Sequence, residues 1–184
     1  MEFQDVVQAR RSVREYRAEP PPAELISRLI HTALLAPSAM NRQPWAFAVV
    51  RGVERIDALG QRAKRHLLTS APALPPDTVA MLNRTEFSLF HRAPVLILVL
   101  ARSEDRQSRE DCCLAAQTLM LAARDADLGT CWIGFAESWL DLATTKTELG
   151  VLRGYHVVAP IVMGHVEHWP ESHGRIPPEI HWLE

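Results

Sequence analysis

Apolar positions along the chain follow two periods. Phe3, Val6, Val7 and Arg10 keep near-helical spacing, which predicts a short helix over 3–11. Pro20, Pro21 and Pro22 block any earlier helix and open a second one, whose face of Leu25, Ile26, Leu29 and Ala33 runs on until Pro37. The pattern then becomes continuous. Residues 45–51 form a nearly unbroken apolar run closed by Gly52, and residues 94–101 form another (PVLILVLA). Both have the length of buried strands. Between them, 54–68 predicts a helix, 70–76 a loop with three prolines, and 77–90 a weaker helix.

The strongest helical signal begins near Ser108 and ends at Gly129, with Glu110 and Asp111 expected in its first turn. From Leu114 to Ala123 it is apolar on almost every side, so it is expected to be central in its subunit or shared with another. A short strand over 130–134, a helix over 138–149 stopped by Gly150, and a long strand over 155–166 follow. The tail, 168–184, carries three prolines and two tryptophans and predicts no regular element. Helices and strands alternate without a repeat or linker, giving one α+β domain over 1–184, a small central sheet flanked by helices.

Composition narrows the function classes. With 184 residues, 47% of them hydrophobic, the chain can bury a core without a disulfide or metal staple. A net charge of −2 gives no polyelectrolyte drive toward nucleic acid or an anionic membrane. No apolar run approaches the roughly 20 residues of a membrane helix, and residues 1–5 lack the features of a signal peptide. A cytoplasmic protein is the expectation. Cys112 and Cys113 sit in an apolar stretch and read as small core residues, and Cys131 stands alone, so no redox or zinc pair is formed.

None of the eight glycines makes a GxGxxG, and Gly129–Gly134 has P-loop spacing without the Lys and Ser/Thr. A phosphate-bearing ligand must then be held by side chains. Arg10, Arg11, Ser12 and Arg14 offer three planar forks and a hydroxyl. Alone, they read more readily as a solvated patch facing Glu2, Asp5 or Glu15. Pro37, Ser38, Ala39, Asn41 and Gln43 form a proline-braced polar loop suited to a planar heterocycle, or simply to satisfying its own backbone. Leu128–Phe135 and the stretch from Gly164 to Arg175 complete the candidates. His165, Glu167, His168 and His173 match no zinc spacing, and no metal is expected.

Together, RRSVREY at 10–16, APSAMNRQPWAFAVV at 36–50, APVLILVLA at 93–101, the stretch 111–135 and the stretch 157–177 resemble the FMN-dependent nitroreductase family, in its order and at its spacing. The resemblance implies a homodimer with FMN at the subunit interface. It assigns Arg10, Arg11, Ser12 and Arg14 to the flavin phosphate, ribityl chain and pyrimidine edge, with Arg14 near N1 and the C2 carbonyl. Pro37, Ser38, Ala39 and Asn41 would reach the cofactor from the partner subunit, and Cys131, Trp132, Ile133 and Gly134 would lie beside the ring. Arg175 would close on the phosphate, and the tail 170–184 would clasp the partner. The pattern departs at Ala39, where a second serine is common, and residues 62–92, usually a lid over the substrate, match nothing in it.

The implied activity is reduction of FMN by NAD(P)H and delivery of the electrons to a small electron-poor acceptor such as a nitroaromatic or quinone, the flavin itself carrying the chemistry. The alternatives are a specialised flavin enzyme, of reductive dehalogenase or flavin-consuming type, and a non-catalytic FMN-binding protein.

Overall fold

The computed structural model describes residues 1–70 and 74–183. Its four strands are β1 (Trp45–Arg51), β2 (Val95–Ala101), β3 (Leu128–Trp132) and β4 (His156–His165). They form one sheet in the order β1-β2-β4-β3, each pair antiparallel. The helices are α1 (Phe3–Ala9), α2 (Ala23–Ala33), α3 (Val53–Ser70), α4 (Pro76–Asn83), α5 (Arg106–Asp125), α6 (Glu137–Leu140) and α7 (Ala143–Glu148).

The unbroken apolar run of β2 arises because both faces of the sheet are covered. Val95, Ile97, Val99 and Ala101 pack into a layer with α2 and α5, while Leu96, Leu98 and Leu100 face α3, α4 and α6. Every residue of β2 is buried. Opposite it, the register shifts between Val99 and Leu100, which pair with Ala159 and Val157. The extra residue, Val158, is a bulge and joins Ala159 on the α5 side.

β1 differs from the expectation of a buried strand. It is an edge strand, and Val49 is 42% exposed. The apolar sequence is there, but among the described residues no strand pairs with its outer side. Several ends also moved for local reasons. Arg10 turns extended and stops α1 at Ala9. α5 starts before Ser108 because Asp105 caps it, accepting the Ser108 backbone N–H at 2.9 Å and the Ser108 hydroxyl at 2.7 Å. A hydrogen bond from Ser103, together with those from Ser108, holds the Asp105 carboxyl down to about 2. Glu110 and Asp111 therefore lie beyond the first turn. Asp111 is buried and accepts the Ala39 N–H instead.

Cys112 is buried as expected, but Cys113 is exposed, because adjacent helical positions point about 100° apart. The helix expected over 138–149 breaks at Asp141 and Leu142. There the Asp141 carboxylate accepts from Lys146 and from the Val157 N–H, both at 2.9 Å, tying the break to β4. The helix expected over 77–90 ends at Asn83, and the chain turns through residues 84–92 with His91 and Arg92 both left-handed. Of the loop expected over 70–76, positions 71–73 lie outside the described residues. Among the described residues, no helix is long and apolar enough to cross a membrane.

Candidate functional site

Beyond α1 the chain runs extended along the free edge of β3. Ser12 bridges Thr130, the Val13 N–H donates to the Thr130 carbonyl at 3.0 Å, and Tyr16 bridges Val166. Val13 is fully buried. Two glycines make the contact possible. Gly129 and Gly164 pair across β3 and β4. A Cβ at Gly129 would stand 2.6 Å from Val166 Cγ2 and 2.8 Å from Val13 Cβ; one at Gly164 would stand 2.8 Å from Pro94 Cδ and 3.0 Å from Tyr16 Cδ1. The arginine motif is thus seated against the sheet itself. The Tyr16 hydroxyl locks the segment by donating to the Val13 carbonyl at 2.6 Å, and burial pushes that phenol well above its ordinary range.

Arg10, Arg11, Ser12 and Arg14 line a cavity of about 230 Å³ together with Arg175 from the tail. Among the described residues, none of these four guanidiniums is in an ion pair, although Glu171 shares the wall. Arg14 donates only a long bond, 3.5 Å, to the Ser12 carbonyl. Arg11 donates to the Gln8 and Arg10 carbonyls, yet its Nε is buried without an acceptor among the described residues. An unsatisfied buried donor costs about 1–3 kcal/mol unless something supplies the acceptor. The tail is held at this place by Trp169, whose ring lies 3.9 Å under the Arg124 guanidinium.

Arg14 also reaches a second cavity of about 500 Å³, mostly apolar. One wall is the end of β3 and the turn beyond it, Cys131 to Phe135. The other is Met81, Phe87, Leu89 and His91, from the 62–92 stretch that no sequence motif resolved. A Cβ at Gly134 would meet nothing within 4 Å, so that backbone faces open space. Burial pushes the Cys131 thiol up, against the pull of Arg14 and Ser12, and it stays protonated at neutral pH.

Burial and the nearby Arg14 cation push His91 down to about 4. The unfolded chain, with an ordinary histidine near 6.5, then binds more protons than the native one between those values. Stability is full above about pH 6.5 and falls as pH drops toward 4. Urea midpoints at pH 7 and pH 4.5 are expected to fall more for the wild type than for His91→Asn. An equal fall in both proteins would mean that His91 titrates normally.

The remaining sequence candidates lie elsewhere. Pro37, Ser38, Ala39 and Asn41 line neither cavity. Their loop is tied to α5 through the Ala39 N–H on Asp111 and closed by the Gln43 N–H on Ser38 Oγ. Met40, Asn41 and Gln43 are left-handed, and Met40 is 88% exposed. Among the described residues, no three His, Cys, Asp or Glu side chains gather as a metal would need. His168 lines a small pocket with Ser12 and Arg14, and His173 lines the arginine cavity. Sequence reasoning missed Met81, Phe87, Leu89 and His91, which share no period and meet only through α4 and the turns after it.

The model of the Nitroreductase family matches residues 7–165. A curated protein of Methanothermobacter thermautotrophicus, provisionally named an NADH dehydrogenase/NAD(P)H nitroreductase, is 30% identical over 138 residues, 73% of this chain. The chain spans 61% of that relative's length. A nitroreductase with bound FMN from Bacteroides fragilis superposes with a TM-score of 0.87 at 23% identity, over 100% of both chains. Another with bound FMN, from Desulfitobacterium hafniense, gives 0.85 at 25% identity, over 100% of this chain and 99% of that one.

Proposed function

The chain belongs to the nitroreductase family, and from that premise we propose that it is an FMN-dependent oxidoreductase taking electrons from NAD(P)H. The observation that carries this reading is the group of four guanidiniums around one cavity, none of them ion-paired among the described residues, joined by Arg14 to an apolar cavity wide enough for a planar ring. Two further features fit the same group. Arg11 Nε needs an acceptor that phosphate supplies, and the Gly134 backbone leaves room for a flat ligand at contact distance.

When bound, the flavin supplies the redox chemistry, accepting electrons from the nicotinamide and passing them to an electron-poor acceptor such as a nitroaromatic or quinone. The chain's own part is to bind, orient and exclude water. Arg10, Arg11, Ser12 and Arg175 are the residues for the phosphate end, where forked guanidiniums give charge-assisted bonds. Cys131, Trp132, Ile133 and Gly134 present a wall to the ring. Arg14, common to both cavities, is the cation for the ring's polar edge.

Titration with FMN followed by rapid mixing with NADH or NADPH tests the reading. Stoichiometric yellow protein that bleaches within seconds supports an enzyme. Tight FMN that stays oxidised supports a binding protein without turnover.

A charge of +1 about 4 Å from the ring is worth up to about 4 kcal/mol at an effective dielectric of 20, and about 30 mV corresponds to 1.4 kcal/mol for a two-electron couple. Arg14→Gln is therefore expected to lower the midpoint potential of bound FMN by tens of millivolts. Spectroelectrochemistry on flavin-saturated protein checks this, and an unchanged potential leaves Arg14 as an anchor only.

The proposal includes a homodimer, with Pro37, Ser38, Ala39 and Asn41 serving the partner's flavin. Leu35 and Met40 are more than 80% exposed on that loop, and Ile176 and Trp182 are equally bare in the tail. A subunit interface would cover such bare apolar side chains. Light scattering is expected to give twice the chain mass at micromolar concentration; an FMN-loaded monomer there would defeat the assembly.

A further inference from the structure

His91 stands between two cavities. On one side is the apolar cavity of the Cys131–Phe135 wall; on the other, Arg84, Glu86, Ser88 and Arg92 line an open polar pocket of about 350 Å³. The imidazole belongs to both. Among the described residues, no group hydrogen-bonds to either of its ring nitrogens. Phe87 steadies the ring edge-on, with centroids 6.3 Å apart and planes at 89°.

Its backbone is held with equal care. His91 and Arg92 are consecutive non-glycine residues with φ of 54° and 51°, an arrangement that persists only where the surroundings enforce it. Ser88 does so. Its carbonyl accepts the His91 N–H at 3.1 Å, its hydroxyl oxygen accepts the Arg92 N–H at 3.2 Å, and that hydroxyl donates to Asp57 of α3 at 2.8 Å. Two strained residues and a chain of hydrogen bonds aim one unpartnered imidazole at the boundary.

We propose that His91 relays a proton from the open pocket to an acceptor oxygen bound in the apolar cavity. This rests on the flavin reading above. Reduction of a quinone to a quinol takes two electrons and two protons. The electron pair and one proton derive from the nicotinamide donor. The second proton leaves the imidazole N–H for the remaining carbonyl oxygen: that N–H bond breaks and an O–H bond forms. A solvent proton entering past Ser88 and Arg92 makes a new N–H on the other nitrogen. The ring ends neutral, in its other tautomer.

The charges around it suit this part. Arg14 from the N-terminal segment, Arg84 and Arg92 from the turns, Glu86 beside them and the protonated Cys131 of β3 are the titratable or charged groups that share its two cavities. Burial disfavours a lasting imidazolium, and the Arg14 cation adds to this. The neutral ring keeps one donor and one acceptor nitrogen, which a relay requires.

His91→Asn tests the proposal, since asparagine tolerates the left-handed backbone but has no second nitrogen to relay through. FMN-loaded protein, reduced with NADPH, is mixed with p-benzoquinone, which needs protons, or with ferricyanide, which needs none. The quinone rate is expected to fall tenfold or more relative to the ferricyanide rate, within the range of general acid catalysis, and free imidazole to restore part of it. Independently of turnover, hydroquinone added to the FMN-free wild type should shift the His91 imidazole ¹⁵N resonances. Equal losses with both acceptors, or resonances that do not move, overturn the relay. Wild type that reduces neither acceptor overturns the flavin reading, and the relay's reaction with it.

Discussion

Replacing Arg10 and Arg175 together with alanine is expected to weaken FMN binding by about 100-fold or more, while riboflavin binding barely changes. Hydrogen bonds to a charged group are worth about 1.5–3 kcal/mol each, or roughly 10- to 150-fold per arginine. The two sit on one cavity wall, so their effects are expected to couple and fall short of a simple product. The ligands differ only by the phosphate, so the wild type should prefer FMN by a similar factor. Fluorescence titrations at fixed salt measure all four affinities. Equal affinity of the wild type for FMN and riboflavin would remove phosphate from this cavity.

Gly129→Ala is the second large effect. The added Cβ would lie 2.6–2.8 Å from Val166 Cγ2 and from Val13 Cβ and Cγ2, none of them the tip of a flexible side chain. Overpacking of this kind costs about 1–3 kcal/mol, which lowers Tm by roughly 2–10 °C in a chain of this size. The damage is also directional. Relief comes by pushing the 12–16 segment off β3, and the arginine motif moves with it, so FMN affinity should fall as well. Gly134→Ala is the control, because its Cβ meets nothing within 4 Å. Its Tm without ligand should match the wild type. Unaltered Tm and FMN affinity in Gly129→Ala would show that the segment is seated by something other than this contact.

Sequence patterning located the sheet well: burial on both faces leaves an unmistakable apolar run at 95–101, and the bounds 45–51 fit β1 although that strand lies at the edge. It failed where a single side chain decides the geometry. Asp105 starts α5 by capping it, and Asp141 splits the next helix by binding two donors, and neither has a periodic signature. The candidate site divides in the same way. Arg10, Arg11, Ser12 and Arg14 are contiguous and could be read directly, and the spacing to Arg175 followed the resemblance. In the sequence Gly129 reads as a helix end and as half of a failed P-loop; in the fold α5 ends at Asp125, and Gly129 lies in β3, where it admits Val13. His91 carried no signal at all. It faces the cavity through a left-handed turn, which Ser88 closes from within and Asp57 braces from α3.

The Trp169–Arg124 stack fixes the tail at one point, and chain length beyond that point sets what each residue can touch. Extended chain covers roughly 3.3–3.6 Å per residue, so Arg175 travels on a leash of about 20 Å and Trp182 on one of about 45 Å. A compact chain of this length is about 40 Å across. The short leash keeps Arg175 at home beside Arg10, where it meets the wall of its own chain. The long one would let Ile180 and Trp182 reach the partner of the proposed homodimer without pulling Arg175 away, so one irregular tail would serve both a private site and a shared seam.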